Sequence, residues 1–416
     1  MEKNSRRGRN WDAVVVGAGP VGSYVSYRLS SLGYSVLLVD RKSEAGRPMH
    51  CGGLVNASLY DLEGLAFLKE RTVLRAVRGA DIYSPSGSKL PLTGKDVKAF
   101  SIDRALFDLE LLRLSVRKGT ETMMSSTLQG MKNGQNSEKE LRISTPKGRV
   151  EVLTDLVIGC DGPASTVRQL EKLDNPRETV PGVSIEVEAI DGRVPEDRVA
   201  VLTGERTAKG FFAWAIPSFG DFGLRIGLSA ISGAHFREGM KRLFNDERLA
   251  DFLSLGSGDE MRFGELSRVF GAIPMGQGKR TTEDGVVLLG DSAGMAKPTS
   301  GGGIYPGLKA ADLLAAILKD PEDSMTRNIR KFNMRWRKEY GRELTKSMLL
   351  RNMFRKLEDR EMDVAISALT DRRKLELINE TGDIDHPISL AVRLLRDDPS
   401  LMMIVPRLLP SLRKLL

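Results

Sequence analysis

A glycine-rich turn between two apolar strands constrains the fold of this chain more than any other feature. Residues 11–40 are WDAVVVGAGPVGSYVSYRLSSLGYSVLLVD. The β-branched run at 14–16 is typical of a buried parallel strand, and Gly17, Gly19 and Gly22 follow it directly. A helical pattern and a second strand, which ends at Asp40, come next. This order predicts a βαβ unit and an α/β fold.

The three glycines and the acid also predict a dinucleotide site. Gly17 permits the tight turn, Gly19 lets the backbone approach a pyrophosphate, and Gly22 lets helix and strand pack closely. The helix N-terminus offers free amides and a partial positive charge. Asp40 follows at about the spacing of an acid that binds ribose hydroxyls. The alternative, a glycine turn that only packs, leaves Asp40 without an explanation.

Composition indicates a globular protein in a reducing compartment. The 416 residues can bury a large core, and 41% are hydrophobic and 28% charged, which argues against disorder. Cys51 and Cys160 are the two cysteines, so a disulfide framework is not expected. We find no secretory signal and no apolar run of the roughly 20 residues that a membrane helix needs. The expected location is the cytoplasm.

The net charge of +8 raises the question of an anionic partner: nucleic acid, lipid or cofactor. Cations and bulky apolar residues alternate at helical spacing over 326–360, which predicts one or two long amphipathic helices, and the tail LMMIVPRLLPSLRKLL repeats the mixture. A solvated helix face explains each single charge. Peripheral docking on the anionic inner face of the cell membrane is the further hypothesis. No nucleic-acid-binding motif is present, and no nucleic-acid partner is expected.

Three further motifs lie at predicted strand ends or helix starts. Arg104 opens an amphipathic helix in SIDRALFDLELLRLSVRKG. Asp161 and Gly162 end the apolar strand of LVIGCDGPASTVRQL. Gly290 and Asp291 end another strand, after which a glycine run at 301–303 opens a helix. Such helix starts can bind an anionic cofactor.

Together these motifs resemble the FAD-dependent oxidoreductases built like aromatic hydroxylases, and within them the geranylgeranyl reductase family of archaeal lipid and chlorophyll biosynthesis. The resemblance spans roughly residues 10–345. It implies an α/β fold (α+β overall) with a Rossmann-type FAD-binding domain, an antiparallel-sheet substrate domain and a helical C-terminal region. The expected boundaries are 10–171 and 273–320 for the FAD-binding domain, 172–272 for the substrate sheet and 321–416 for the helical region.

The resemblance also implies which residues bind FAD. They share positions in the motifs above, and the set includes the family's Cys-x-Gly element and the segment that lies against the flavin ring. The expected cofactor-binding residues are Gly17, Gly19, Pro20, Val21, Gly22, Asp40, Arg41, Cys51, Gly52, Gly53, Arg104, Asp161, Gly290, Asp291, Pro298, Gly301, Gly302, Gly303 and Ile304. No metal site is expected.

The same resemblance places Cys51 near the flavin and the substrate double bond. Saturating an isolated alkene requires a hydride at one carbon and a proton at the other. Reduced flavin supplies the hydride, and Cys51 or His50 is the expected proton donor. The alternative is that Cys51 is a small buried filler beside a glycine turn. Cys160 is interpreted as a packing residue.

The pattern changes to alternating strands over 172–272, in GVSIEVEAI, GFFAWAIPS and FGLRIGLSA. In the resembling family a Tyr-x-Trp-x-Phe-Pro element lines a lipid tunnel, and FAWAIP matches it in part. Phe212, Trp214 and Pro217 are therefore the expected substrate residues. An ordinary core strand explains the same residues nearly as well.

The leading hypothesis is an FAD-dependent reductase that saturates geranylgeranyl chains of archaeal-type glycerolipids. A flavin monooxygenase or quinone oxidoreductase of the same fold is one alternative, and an isoprenoid-binding escort without redox activity is another. The electron donor is open between NADPH, ferredoxin or another low-potential carrier. The expected partners are an isoprenoid lipid, an anionic membrane surface and, for some donors, an electron-transfer protein.

Overall fold

The computed structural model describes residues 10–49, 51–134, 138–233, 236–256, 258–320, 323–382, 387–399 and 401. The strands are, in chain order, β1 (Asn10–Val16), β2 (Val36–Val39), β3 (Leu54–Asn56), β4 (Val73–Val77), β5 (Gly79–Tyr83), β6 (Lys89–Thr93), β7 (Ala99–Ile102), β8 (Glu121–Met123), β9 (Thr127–Asn133), β10 (Lys139–Thr145), β11 (Gly148–Gly159), β12 (Glu178–Ala189), β13 (Arg198–Leu202), β14 (Ala213–Pro217), β15 (Gly223–Ser229), β16 (Phe263–Met275), β17 (Thr282–Glu283) and β18 (Val286–Leu288).

The α-helices are α1 (Pro20–Ser31), α2 (Leu68–Thr72), α3 (Arg104–Arg117), α4 (Thr166–Leu170), α5 (Glu205–Ala208), α6 (Phe236–Leu243), α7 (Glu247–Phe252), α8 (Ile304–Leu318), α9 (Met325–Trp336), α10 (Arg342–Phe354), α11 (Asp359–Leu369), α12 (Arg372–Thr381) and α13 (Pro387–Asp397). Two 3-10 helices, Ala57–Asp61 and Gly290–Ala293, and a π-helical turn, Arg337–Gly341, complete the described elements.

The first sheet has the parallel core that the N-terminal motif predicts. Its main order is β17-β18-β11-β1-β2-β8, and β9 and β10 extend it as an antiparallel hairpin beside β11. β1 pairs in parallel with both β2 and β11. Val14 and Val15 are fully buried, as expected for a strand covered on both faces. The helices α1, α3 and α8 pack together beside this sheet.

The second sheet runs in the order β16-β12-β15-β14-β13-β5-β6. Its pairs are antiparallel except β13 with β5, which is parallel. The three strands predicted from alternation are present as β12, β14 and β15. β5 and β6 lie inside 10–171, yet they join this sheet, and β16 continues to Met275. The chain therefore crosses between the two layers earlier than the predicted boundary at 172.

A small third sheet has the strand order β3-β7-β4. β3 starts directly after the turn at Cys51–Gly53, and β7 ends directly before α3, which Arg104 opens. Because β3 and β7 are paired, the turn and the start of α3 lie side by side.

The predicted amphipathic helix is confirmed. α9, the π-helical turn and α10 form one continuous helical run from Met325 to Phe354. Trp336 is buried and stacks on Tyr340, and its indole donates to the Gln277 side chain at 2.9 Å. Most of the C-terminal tail, residues 402–416, lies outside the described residues. None of the described helices combines the length and the apolar composition that a membrane span requires.

Candidate active site

The glycine loop before α1 has the geometry that binds a pyrophosphate. Gly17 has φ +107°, and a Cβ there would lie 2.3 Å from the Cys160 carbonyl oxygen. A Cβ on Gly22 would lie 1.8 Å from the Gly17 carbonyl oxygen. A Cβ on Gly19 would meet nothing within 4 Å, so this residue faces open space. Gly19 caps α1 without a side-chain hydrogen bond, which leaves the first helical amides available.

Asp40 fixes this loop. One carboxylate oxygen accepts from the Ala18 amide at 2.5 Å, and the other accepts from the Lys42 amide at 2.7 Å. The side chain thus links the end of β2 to the glycine turn. The predicted contact of Asp40 with a ribose stays a prediction. Arg41 is exposed.

A cavity of about 440 Å³ begins at this loop and reaches the second sheet. One part of its wall comes from loops and helix starts, and the other comes from strands of the antiparallel sheet. The loop residues include Gly19, Pro20, Val21, Lys42, Cys51, Gly52, Gly53, Arg104, Asp108, Asp291, Lys297, Gly301, Gly302, Gly303 and Ile304. The residues of this sheet, and of the segment that leads into β14, include Val183, Val199, Ala200, Phe211, Phe212, Trp214, Ile216, Val269 and Ile273.

The turn that contains Cys51 lies where these two walls meet. The Cys51 sulfur accepts from the Gly53 amide at 3.4 Å, and Gly53 has φ +72°. A Cβ on Gly52 would lie 3.4 Å from the Trp214 indole nitrogen, so the turn lies close to the second sheet. Cys51 is partly exposed to the cavity. His50 lies outside the described residues.

Arg104 and Asp108 form a buried ion pair beside this turn. Two hydrogen bonds join them, at 3.1 and 2.9 Å, on successive turns of α3. Burial by itself lowers the pKa of Arg104, but Asp108 and the Cys51 thiol raise it, and the net shift is upward. Arg104 therefore stays a cation in the cavity wall.

The two downstream motifs converge on the same cavity. Asp161 accepts from the Thr166 amide at 2.6 Å and so caps α4, while Gly162 lines the cavity. Arg168 of α4 donates to the Ser292 carbonyl at 2.8 Å, which joins this motif to the turn at Gly290 and Asp291. Burial raises the pKa of Asp291 to about 6, although Arg104 lowers it.

The glycine run after this turn opens α8, as predicted. The Gly301 amide donates to the Lys297 carbonyl at 2.8 Å, and the Lys297 amide donates to the Gly302 carbonyl at 3.0 Å. Lys297 is 5% exposed and lines the cavity. Sequence reasoning missed this lysine, although its position directly before Pro298, a predicted cofactor residue, is a usable signal.

Arg225 is the second residue that sequence reasoning missed. It extends from β15, pairs with Glu186 at 3.0 Å, and donates to the Ile102 carbonyl at 2.8 Å and the Gly52 carbonyl at 3.5 Å. Its side chain is 4% exposed. One guanidinium thus fixes the Cys51 turn and the strand end before Arg104. A lone arginine in the apolar strand FGLRIGLSA was the available signal.

Phe212 and Trp214 of the predicted substrate element line the cavity, and Pro217 does not. Trp214 and Ile216 lie on one face of β14, because side chains alternate along a strand. Ala213 and Ala215 lie on the other face, in the core cluster behind the sheet. Pro217 follows that opposite face and is buried. The expectation that it contacts substrate is not supported by this geometry.

Several predicted cofactor residues support the cavity from behind rather than line it. These residues shape turns or accept backbone hydrogen bonds, except Arg41, which is exposed, and Pro298, which is buried in the turn before the glycine run. Among the described residues, the predicted ones outside the cavity lining are Gly17, Gly22, Asp40, Arg41, Asp161, Gly290 and Pro298. Cys160 packs against the first core as expected, also lines the cavity, and has a pKa raised by burial and by Asp161.

The cavity residues fit FAD. The open space at Gly19 and the uncapped start of α1 suit a pyrophosphate. Two buried polar atoms beside the cavity make no hydrogen bond in the described structure, Asp161 Oδ1 and Trp214 Nε1. Buried polar atoms are normally satisfied, so these two atoms are available to polar groups of a ligand.

Comparison with known proteins agrees with this geometry. The family model described as FAD binding domain matches residues 10–323. The digeranylgeranylglycerophospholipid reductase 2 of Methanothermobacter thermautotrophicus is 28% identical over 407 residues, which cover 95% of this chain and 98% of that protein. The corresponding reductase 1 of Methanococcoides burtonii is 28% identical, covering 89% of this chain and 90% of its own.

Solved structures show the same fold. A geranylgeranyl bacteriochlorophyll reductase-like protein of Thermoplasma acidophilum superposes with a TM-score of 0.82 at 18% identity, covering 97% of this chain and 99% of its own. The p-nitrophenol 4-monooxygenase of Pseudomonas putida superposes with a TM-score of 0.70 at 17% identity, covering 89% and 97%. The predicted mixed α/β fold is confirmed.

The resemblance inferred from the sequence is also confirmed, as is the prediction of a flavin-dependent oxidoreductase. The matched segment contains the glycine loop, the Cys51 turn, the antiparallel sheet and the turn at Asp291. This chain belongs to the family of proteins with the FAD-binding domain.

Proposed function

We propose that this protein is an FAD-dependent reductase that saturates isolated double bonds in geranylgeranyl chains, on precursors of archaeal membrane glycerolipids. One observation carries the proposal. A single cavity joins a glycine loop suited to a dinucleotide to a wall of apolar side chains, and a thiol lies where they meet. The names of the relatives from Methanothermobacter and Methanococcoides support the substrate class.

Bound in this cavity, FAD supplies a hydride from its reduced ring. Gly19 and the start of α1 would bind its pyrophosphate, and Asp291 would accept from hydroxyl groups of the linker. The residues at 301–304 would hold the ring. Arg104, fixed by Asp108, places a buried positive charge at the same wall.

The second half of the reaction is a protonation. An isolated alkene has no carbonyl to polarise, so the proton donor must lie close to the accepting carbon in a dry site. Cys51 lies in the cavity wall beside Trp214, and Arg225 fixes its turn. We assign the proton to the Cys51 thiol, with His50 as the alternative donor.

The sheet wall binds the isoprenoid chain. Its side chains are apolar at Val183, Phe212, Trp214, Ile216 and Ile273. Such a wall excludes water and gains roughly 25 cal/mol for each Å² of chain surface that it buries. The wall offers the isoprenoid chain few polar contacts, so the shape of the cavity determines how well the chain fits.

The test is anaerobic turnover. The holoprotein, reduced with dithionite, is incubated with a digeranylgeranyl glycerophospholipid, and the lipid mass is measured. We expect a gain of two hydrogens for each bond saturated. A requirement for oxygen with a gain of oxygen mass supports the monooxygenase instead. Lipid binding by a colourless protein supports the non-redox escort.

The role of Cys51 has its own control within the chain. Replacement of Cys51 by alanine should lower the rate of lipid reduction by about 10²-fold or more, because general acid catalysis contributes that much. Cys160→Ala removes the other thiol of the cavity and should leave the rate nearly unchanged. Equal rates in both variants transfer the assignment to His50.

The electron donor is proposed as NADPH or a low-potential carrier such as ferredoxin. Anaerobic mixing of the oxidised holoprotein with each donor separates them, because flavin bleaching reports reduction directly. A donor is supported if the rate at which it bleaches the flavin exceeds the rate of lipid reduction.

Peripheral membrane association is the remaining part of the proposal. Met334 is 65% exposed on α9, and the neighbouring cations Arg335, Arg337, Lys338 and Arg342 are exposed. Replacing these four cations by glutamine should weaken binding to anionic liposomes. Replacing four exposed cations of the β9–β11 region, Lys132, Arg142, Lys147 and Arg149, changes the net charge equally and should have a smaller effect. Equal losses contradict a specific docking face.

A further inference from the structure

The C-terminal helix α10 packs directly behind the substrate wall of the cavity. Met348 of this helix forms a buried cluster with Phe211, Val180, Met275 and Ala296. Phe212 and Ile273, which both line the cavity, pack against the same cluster. An element outside both main sheets therefore contacts the rear of the cavity wall.

A buried ion pair fastens this helix to the sheet. Arg351 of α10 donates two hydrogen bonds to Glu178 at the start of β12, at 2.7 and 2.8 Å. The two side chains are 1% and 14% exposed. Arg355, one turn further on, reaches the same carboxylate at 3.3 Å but is 38% exposed.

The guanidinium of Arg351 also covers an aromatic ring. Its central carbon lies 4.6 Å from the centre of the Phe211 ring, within the range of a cation–π contact. Phe211 stacks on Phe212 with 4.3 Å between ring centres, and Phe212 meets Trp214 edge-on at 6.2 Å. The contacts form one series from α10 to the side chains that face the cavity.

Phe211 also contacts the opposite wall. Its ring tip lies 3.5 Å from the position of a Cβ on Gly301, the first residue of the glycine run. One aromatic ring thus lies beside the loop assigned to the cofactor and belongs to the stack assigned to the substrate. A shift of this ring changes the cavity on both sides.

Stability does not explain an arginine at this place. Buried ion pairs are often no better than well-packed hydrophobic residues of the same volume, because desolvation offsets their attraction. They do fix geometry: a planar guanidinium with a bidentate carboxylate on one edge and a ring on its face has one orientation. The pair with Glu178 therefore holds the guanidinium against the Phe211 ring.

We propose that Arg351 is a positioning residue that sets the length of isoprenoid chain the cavity accepts, by fixing the Phe211–Phe212 stack through its pair with Glu178. This inference rests on the proposed function. Glu178 and Phe211 lie inside the segment matched by the family model, residues 10–323, and Arg351 lies beyond it. The cavity wall lies in the segment that the family model matches, whereas the helix that packs behind this wall lies outside that segment.

The test compares binding of two chains to the oxidised holoprotein, so that it does not depend on turnover. The probes are glycerophospholipids with geranylgeranyl chains or with farnesyl chains, which are one isoprene unit shorter. Arg351→Met with Glu178→Gln removes the pair without leaving a buried charge, and Arg351→Lys keeps the charge but not the planar stack. We expect both variants to retain FAD. The ratio of the two dissociation constants, farnesyl over geranylgeranyl, should be about tenfold smaller than in wild type.

Arg355→Met is the matched control. It removes a contact to the same carboxylate but none to the ring, and the ratio should stay within about twofold of wild type. A double variant that retains FAD and discriminates the chains as wild type does overturns the positioning role. A wild-type holoprotein that binds neither chain overturns the proposed function instead. If the double variant fails to fold, Arg351→Lys still decides the question.

Discussion

The two walls of the cavity are built in different ways. In the wall proposed to bind the cofactor, the glycine loop presents backbone: a Cβ on Gly19 would face open space, and Gly17 and Gly22 permit approaches that a Cβ would block. The substrate wall consists of side chains, in which the Trp214 ring lies over Gly227 and Phe212 stacks on Phe211. A backbone wall tolerates almost no change at its glycines, whereas a side-chain wall can be resized one residue at a time.

Arg225 joins the two walls, and its removal should have the largest effect on stability. Arg225→Met leaves the Glu186 carboxylate without its buried partner, and the free energy of unfolding should fall by about 3–5 kcal/mol. Chemical denaturation measures this. The exposed pair of Arg268 with Glu265 on β16 is the control, because Arg268→Met should cost less than about 1 kcal/mol. Equal losses would mean that the two walls are not joined by this residue.

The glycine loop offers the next largest effect. Gly22→Ala places a methyl group 1.8 Å from the Gly17 carbonyl oxygen, and overpacking of this kind costs about 1–3 kcal/mol or more. Gly19→Ala meets no atom within 4 Å and has φ −74°, so its stability should change by less than about 0.5 kcal/mol. Its FAD affinity should nevertheless fall steeply. Unchanged FAD affinity in Gly19→Ala contradicts the cofactor assignment.

Asp291 makes the cofactor wall sensitive to pH. Burial raises its pKa to about 6, and the ionised carboxylate is the stronger acceptor for the hydroxyl groups that it is proposed to bind. FAD affinity should therefore be highest well above pH 6 and should fall as the pH falls through this value. Fluorescence titration of the apoprotein with FAD at several pH values measures the slope. Asp291→Asn should bind more weakly at neutral pH and show a flatter profile.

The smallest effect is expected in the substrate wall. Phe212→Leu removes part of the aromatic stack, and the KM for the lipid should rise about fivefold, equivalent to about 1 kcal/mol. Pro217→Ala changes the end of β14, on the face away from the cavity, and should leave the KM unchanged. A larger rise in KM for Pro217→Ala than for Phe212→Leu would mean that the lipid does not bind against this wall of the cavity.

The contrast between the walls also explains what the sequence could predict. The glycine loop, Asp40 and the start of α8 depend on neighbours close in the chain, so spacing alone identified them. The contacts of Arg225 with Ile102 and of Arg351 with Glu178 span 123 and 173 residues. No local pattern contains such partners.

The differences between these expectations and the structure also arise from contacts between distant parts of the chain. β5 and β6 alternate as strands, but only the folded chain shows that they pair beside β13 in the second sheet. Pro217 belongs to a motif that predicted a substrate contact. Because side chains alternate along β14, it lies on the face of the strand away from the cavity. A motif gives the residues of an element, whereas its orientation depends on the packing partners.

The bond from β15 to the thiol-bearing loop has a consequence for chimeric enzymes. Exchanging the antiparallel layer between two relatives also exchanges the residue that holds the Cys51 turn, although that turn lies much earlier in the sequence. A chimera that lacks Arg225 or Glu186 would receive the sheet without the contacts that hold this turn in place.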